Sequence, residues 1–206
     1  MALTKVRGGG VDNPLTLGGG SASDNSIVFD GNAQDFHIGL DDSTDSLTMG
    51  LGSVLGTTSH MVFDADGRVS MPNVPRFLAR RNESNWSPTN NATMVWDSTS
   101  INFGYNVGSH YNTSNGKFTC PVAGTYYFEA TAIVNESVSN GAWYIRKNSS
   151  TVHSQHISQS NTSWHAHTIS YTGDFAANDT AEVYLGSSPT GFYGASWAYF
   201  HGRMIG

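Results

Sequence analysis

Four histidines, His153, His156, His165 and His167, crowd into one short stretch, and imidazole is the side chain that both ligates metals and moves protons near neutral pH. His165 and His167 stand two apart, so in a strand both point the same way, and a threefold assembly would multiply them around its axis as metal ligands. They are the weak metal candidates; neutral polar side chains on an exposed face are the simpler reading, and no residue pattern asks for a cofactor. Serine, histidine and aspartate are all present, yet no Gly-x-Ser-x-Gly elbow occurs and no order of residues singles out a triad. The acidic residues gather in LDDSTD (40–45) and FDADG (63–67), turn-type segments that suit solvated loops better than the paired acid and base of a glycosidase. DADG also opens like a calcium loop, but the place for its bidentate glutamate, eleven residues beyond Asp64, holds Pro75. No catalytic residue is assigned, and the chain reads as a non-enzyme. Aromatic rings are the remaining chemistry, because a ring face can stack on a sugar. Most of Trp86, Trp96, Trp143, Trp164, Trp197 and Tyr199 are expected in core or subunit contacts, while Tyr193, in the loop-like SSPTGFYGAS, is the preferred receptor or glycan contact.

These residues must be held by a chain of 206 residues with a net charge of −6, 13% charged and 38% hydrophobic residues, a composition that can bury a core. No basic run is long enough to track a phosphate backbone, so nucleic acid is not an expected partner. No run approaches the roughly 20 apolar residues of a membrane helix, and the start MALTKVRGGG lacks the apolar centre of a secretory signal, so neither membrane insertion nor export is expected. The single cysteine, Cys120, excludes an intrachain disulfide and a thiolate zinc site built from one chain.

All five Trp and all nine Tyr lie after residue 76, and Pro72 and Pro75 in MPNVPRF mark the seam. Three regions follow. Residues 1–22 form a Gly-rich arm whose Leu3, Val6, Val11, Leu15 and Leu17 are the apolar groups available for docking on a particle; a frayed terminus is the plainer alternative. Residues 23–75 carry a loose repeat, IVFDG returning as MVFDADG, with alternating Phe36, Ile38, Leu40 and Leu47, Met49, Leu51, which predicts short strands. Asp30-Gly31 and Asp66-Gly67 are expected as tight turns with Gly at positive φ. About three inward side chains per strand, at roughly 1.5–3 kcal/mol each, do not offset a backbone entropy cost of about 1–2 kcal/mol per residue, so this segment is expected to share its interior with sister chains as a fibre shaft. Residues 76–206 show alternation at hairpin spacing without a sustained helical period, which predicts an antiparallel sandwich or jelly roll. In GTYYFEATAIV (124–134), Tyr126, Phe128, Ala130, Ala132 and Val134 share a core face. Tyr127, Glu129, Thr131 and Ile133 share the other, whose mixed polarity suits cover by a neighbouring subunit, and Tyr199 is assigned to the same contact.

The run Tyr111–Phe128, YNTSNGKFTCPVAGTYYF, resembles the signature of the globular head of complement C1q, a jelly roll related to tumour necrosis factor. Ile145-Arg146-Lys147-Asn148 resembles that family's leucine-x-lysine-asparagine strand end. Ala177-Asn178-Asp179 stands at its glycine–aspartate turn, with Asn178 in place of the glycine, and Phe200-His201-Gly202-Arg203-Met204 is similar to its closing phenylalanine–serine–glycine strand. The resemblance spans about residues 77–206 and implies a ten-stranded jelly roll that assembles as a tight homotrimer; it implies no particular ligand. No Gly-x-y collagen stalk precedes the head. The first two-fifths is instead similar in style to fibre proteins of marine bacteriophages, through ALTKVRGGG and FHIGLDDSTDSL.

The expectation is therefore an all-β, non-enzymatic, homotrimeric virion protein: an arm docked to other virion proteins, a β shaft, and a jelly-roll head turned toward a host surface glycan or protein, at the virion surface. A secreted C1q-like glycan-binding adhesion protein of a cell is the main alternative, and a small glycan hydrolase a third.

Overall fold

Strict alternation of apolar and polar residues, broken by Gly, Asn and Asp turns, leaves the chain little choice but short antiparallel strands. The computed structural model describes residues 16–100, 102, 104–162, 164–187 and 191–206. Its contacts divide the chain into two units, Met1–Asn73 and Val74–Gly206.

In the first unit β1 (Asn25–Phe29), β2 (Phe36–Asp41), β3 (Ser46–Leu51), β4 (Ser59–Phe63) and β5 (Val69–Ser70) follow one another as an antiparallel meander. Pairings such as Ile27 with Ile38, and Leu40 with Leu47, put the apolar residues of successive strands on one face. The other face carries His37, Gly39, Asp41, Ser46, Thr48 and Gly50, all buried. The loop after β3 covers that polar face: His37 Nδ1 is 2.9 Å from the Gly52 carbonyl, and Gly56 lies against the Asp41 carboxylate. Leu55, in this loop, is the one buried apolar side chain among the described residues of the unit. Gly67 takes φ +80°, as a tight turn requires, whereas Gly31 does not adopt positive φ. It opens a longer loop before β2, where its N–H donates to Asp35 Oδ1 at 3.1 Å, so no two-residue turn is needed. In DADG, Arg68 pairs with both acids, with Nε 2.7 Å from Asp64 and Nη2 2.6 Å from Asp66.

The second unit contains β6 (Arg76–Arg80), β7 (Asn85–Trp86), β8 (Ala92–Thr93), β9 (Tyr105–Val107), β10 (Tyr111–Asn112), β11 (Lys117–Thr119), β12 (Gly124–Val134), β13 (Val138–Lys147), β14 (Ser150–Gln159), β15 (His165–Phe175), β16 (Thr180–Ser187), β17 (Phe192–Tyr193) and β18 (Tyr199–Met204), with a 3-10 turn at Ala195–Trp197. Among the described residues they form a six-stranded and a seven-stranded antiparallel sheet; β7, β8, β10 and β17 are two-residue pairings that take the number beyond ten. The first long strand, β6, lies beside the last, β18, and β12 runs between β18 and β15, while β13 and β14 pair in the other sheet beside β16, so the chain crosses between the sheets in a jelly-roll-like manner.

Between the sheets Phe77 stacks on Tyr111 at 4.6 Å and on Phe118 at 4.9 Å, and meets Phe200 edge-on at 4.9 Å. Trp96, Trp143, Tyr126 and Phe128 complete an aromatic-rich interior in which a single aromatic is worth about 2–3 kcal/mol of burial. Gly202 is required by close approach: a Cβ there would stand 2.6 Å from Phe128 Cε1 and 2.8 Å from Phe77 Cε1. Asn178 has φ +71°, a left-handed conformation that Asn tolerates where glycine is the commoner choice. The following Asp179 accepts hydrogen bonds from Asn148 Nδ2 (2.7 Å) and the Ala176 N–H (2.8 Å) and pairs with Lys147 at 2.9 Å. Those contacts hold its carboxyl down at about 2. They also give the Lys147-Asn148 strand end its structural role, which is to pin the turn before β16.

Candidate subunit interface

Strand β12 has eleven residues with period-2 burial. Tyr126, Phe128, Ala130, Ala132 and Val134 are fully buried in the core, while Tyr127, Glu129, Thr131 and Ile133 are half-buried on the opposite face. The register with β15 and β18 builds that outer face row by row: Tyr127 lies between Thr172 and Arg203, Glu129 between Ser170 and His201, Thr131 between Thr168 and Tyr199. Beyond β18, Arg76, Leu78 and Arg80 of β6 extend the rows. All five residues expected at the subunit contact, Tyr127, Glu129, Thr131, Ile133 and Tyr199, thus share one surface.

At its centre the Glu129 carboxylate accepts the Tyr127 hydroxyl at 2.5 Å and the Tyr199 hydroxyl at 2.9 Å, with His201 Nε2 at 3.4 Å from Oε1. The His201 ring sits 5.7 Å from that of Tyr127 and 5.6 Å from that of Tyr199. Burial pushes the Glu129 carboxyl up, but the two tyrosine hydroxyls and the neighbouring imidazole outweigh it and hold the group below the usual carboxylate range. The same contact raises Tyr127, through its hydrogen bond to Glu129 first, and Tyr199 is raised by burial and then by Glu129. A carboxylate so well supplied with donors depends less on water for its hydrogen bonds than a lone surface glutamate does.

Sequence reasoning missed His201. The signal was available, because His201 stands two residues after Tyr199 in a strand and so must share its face.

His165 and His167 do share a face, but it is that of Val134 and Ala132, with which they pair. They turn away from the Glu129 surface, so a threefold axis beside that surface would not gather them. Each imidazole meets an amide instead, His165 the Asn161 Oδ1 at 3.0 Å and His167 the Gln159 Oε1 at 3.1 Å, and burial lowers the His167 pKa. Among the described residues no three His, Cys, Asp or Glu side chains converge as a metal group.

Tyr193 belongs to β17 rather than to a free loop, and it pairs with Ile133, at one end of the same surface. Its ring lies 4.1 Å from that of Trp164, which meets Trp197 edge-on at 5.7 Å; both tryptophans are about half exposed. Trp86, Trp96 and Trp143 are core residues. Of the arm, Leu17 is exposed and lines a groove with Ile27, Ile38, Leu40 and Leu47, and Leu3, Val6, Val11 and Leu15 lie outside the described residues.

Among known proteins the chain is 38% identical over 65 residues to human complement C1q tumor necrosis factor-related protein 5, a stretch that is 32% of this chain and 25% of that protein. Two solved structures are similar in part. The globular domain of zebrafish complement 1qA protein has a TM-score of 0.46 at 19% identity, with 64% of this chain and 98% of that one covered. The TNF protein Eiger of S. frugiperda has a TM-score of 0.47 at 8% identity, with 66% and 94% covered. The family model of the C1q domain matches residues 76–201, more than half of the chain. The chain belongs to the C1q domain family.

Proposed function

We propose that this chain is a non-enzymatic homotrimeric attachment protein of a bacteriophage virion, whose head meets a host surface and whose N-terminal region joins other virion proteins. Members of the C1q domain family are generally structural or binding proteins without catalytic activity. The trimer rests on one observation, the half-buried surface around Glu129, whose polar groups already satisfy one another. Three identical copies close a ring there because each contact joins two different patches of neighbouring subunits. The exposed Trp164 and Trp197, with the half-buried Tyr193 between them and that surface, supply ring faces for a sugar or peptide of the host envelope. The virion assignment is supported by the likeness of ALTKVRGGG and FHIGLDDSTDSL to phage fibre sequences. The similarity to a human C1q-related protein favours a second reading, a secreted glycan-binding adhesion protein of a cell.

Light scattering after gel filtration tests the assembly: three times the chain mass supports it, and a monomer's mass overturns it. Gold-labelled antibody against the head, applied to intact phage particles, separates the two settings. Particles that carry no label while cells of the source do would replace the virion reading with the adhesion one.

A further inference from the structure

The first unit buries its polar face and bares its apolar one. Phe29, Phe36, Leu40, Leu47, Met49 and Phe63 are 38–61% exposed, whereas His37 and Thr48 on the reverse side are 2% exposed beneath the loop after β3. No charged side chain interrupts the apolar face among the described strand residues; Asp41, the one acid in strands β1 to β5, lies on the covered side. Pairing makes the face continuous over β1 to β4, and between Phe29, Phe36, Met49 and Met61 it dips into a groove of about 470 Å³.

We infer that this face is a second interface between copies of the chain, on which the first units of a trimer pack their sheets together into a shared core. The inference rests on the trimeric reading of the head. At roughly 200 Å² for a large side chain, about half-exposure of the six named above, with Ile27 and Val69 beside them on the same face, leaves on the order of 800 Å² of apolar surface in one patch. Monomers rarely leave more than about 300–600 Å² in a single patch, and about 800 Å² is what each partner contributes to a standard interface. Charge points to self-association too: an uncharged face meets a copy of itself without repulsion, and it offers nothing to select a partner of opposite sign. Covalent linkage to a trimeric head raises the local concentration of the three faces to the millimolar range, so weak sheet-to-sheet packing suffices. Stacked sheets sit about 10 Å apart, a gap these Phe, Leu and Met side chains fill.

The test uses the full-length chain carrying Met49→Cys, with Ser70→Cys as an exposed control on the reverse face; Cys120 is buried and silent. Maleimide labelling, the mass by light scattering, and denaturing gels after a short bis-maleimide are read together. The expected result is a trimer in which Met49→Cys labels at least tenfold more slowly than Ser70→Cys, and a chain-to-chain crosslink formed by Met49→Cys alone. A trimer with freely labelled Met49→Cys overturns this inference while the head's assembly stands. Protection without any interchain crosslink also overturns it, because the cover then comes from the same chain. A monomer overturns the trimeric head and this inference with it. Leu47→Cys, on the same face, repeats the measurement should Met49→Cys misfold.

Discussion

Replacing Glu129 with alanine separates a covered surface from an open one. In the native chain two tyrosine hydroxyls donate to this carboxylate at 2.5 and 2.9 Å, and its side chain is 23% exposed even before any subunit covers it. Glu129→Ala leaves both hydroxyls without their acceptor. On an open face water replaces the lost partner, and the cost stays within the roughly 0.5–1.5 kcal/mol typical of an ordinary hydrogen bond. Under a neighbouring subunit water cannot enter, and a stranded polar group costs about 1–3 kcal/mol. For the proposed trimer, at about 2 kcal/mol per protomer, the assembly would lose about 6 kcal/mol, or roughly a 10⁴-fold change in the trimerisation constant at about 1.4 kcal/mol per decade. Sedimentation velocity over a dilution series reads this directly. The variant is expected to dissociate at concentrations where the wild-type chain is still trimeric, with Glu129→Gln, which keeps one acceptor oxygen, in between. Superimposable dilution curves for wild type and Glu129→Ala would refute the argument that this surface is covered.

Three further outcomes follow from the head. Burial first, and Asp179 second, push the Cys120 thiol up to about 12 from an ordinary 9.0, so its thiolate at pH 8 is roughly a thousandfold scarcer; a thiol reagent should leave the native protein unmodified and react once denaturant is added. Gly202→Ala should lower stability by about 1–3 kcal/mol in a denaturant titration, because the new methyl group overlaps the rings of Phe128 and Phe77. Asp179 has a folded pKa of about 2 against an ordinary 3.8, so its contribution is complete above about pH 4 and is lost as pH falls through about 2. Glu129, also depressed, acts with the same sign. The melting temperature should therefore hold down to about pH 5 and drop below about pH 4, and Asp179→Asn should melt lower at neutral pH and lose less on acidification.

The long central strand of the head was legible because period 2 leaves no ambiguity: once Phe128 is inside, Glu129 and Tyr127 are outside. What alternation does not carry is which neighbours arrive beside them. The pairing of Glu129 with His201 spans most of the head's sequence and depends on the register of β18. The exposure of Trp164 and Trp197, set against the burial of Trp86, Trp96 and Trp143, is likewise tertiary, since all five have the same composition-level signal. His165 and His167 illustrate the same division between local and tertiary information. Their spacing fixed a common side, but only the pairing with Ala132 and Val134 determined which side it was. In the first unit the repeat correctly suggested strands, while its turn at Gly31 differed because the Asp35 side chain supplies a hydrogen bond that local propensity ignores.

The two ends of the head region lie side by side. The Met204 N–H donates to the Pro75 carbonyl at 3.0 Å, and Gly206 is tied to Thr125 at 2.6 Å. A reporter or cargo fused behind Gly206 would thus emerge next to the point where the polypeptide enters this unit. Display on the far side would need insertion within a connection such as the one between β14 and β15, and a circular permutant joining Gly206 to Val74 would need only a short linker.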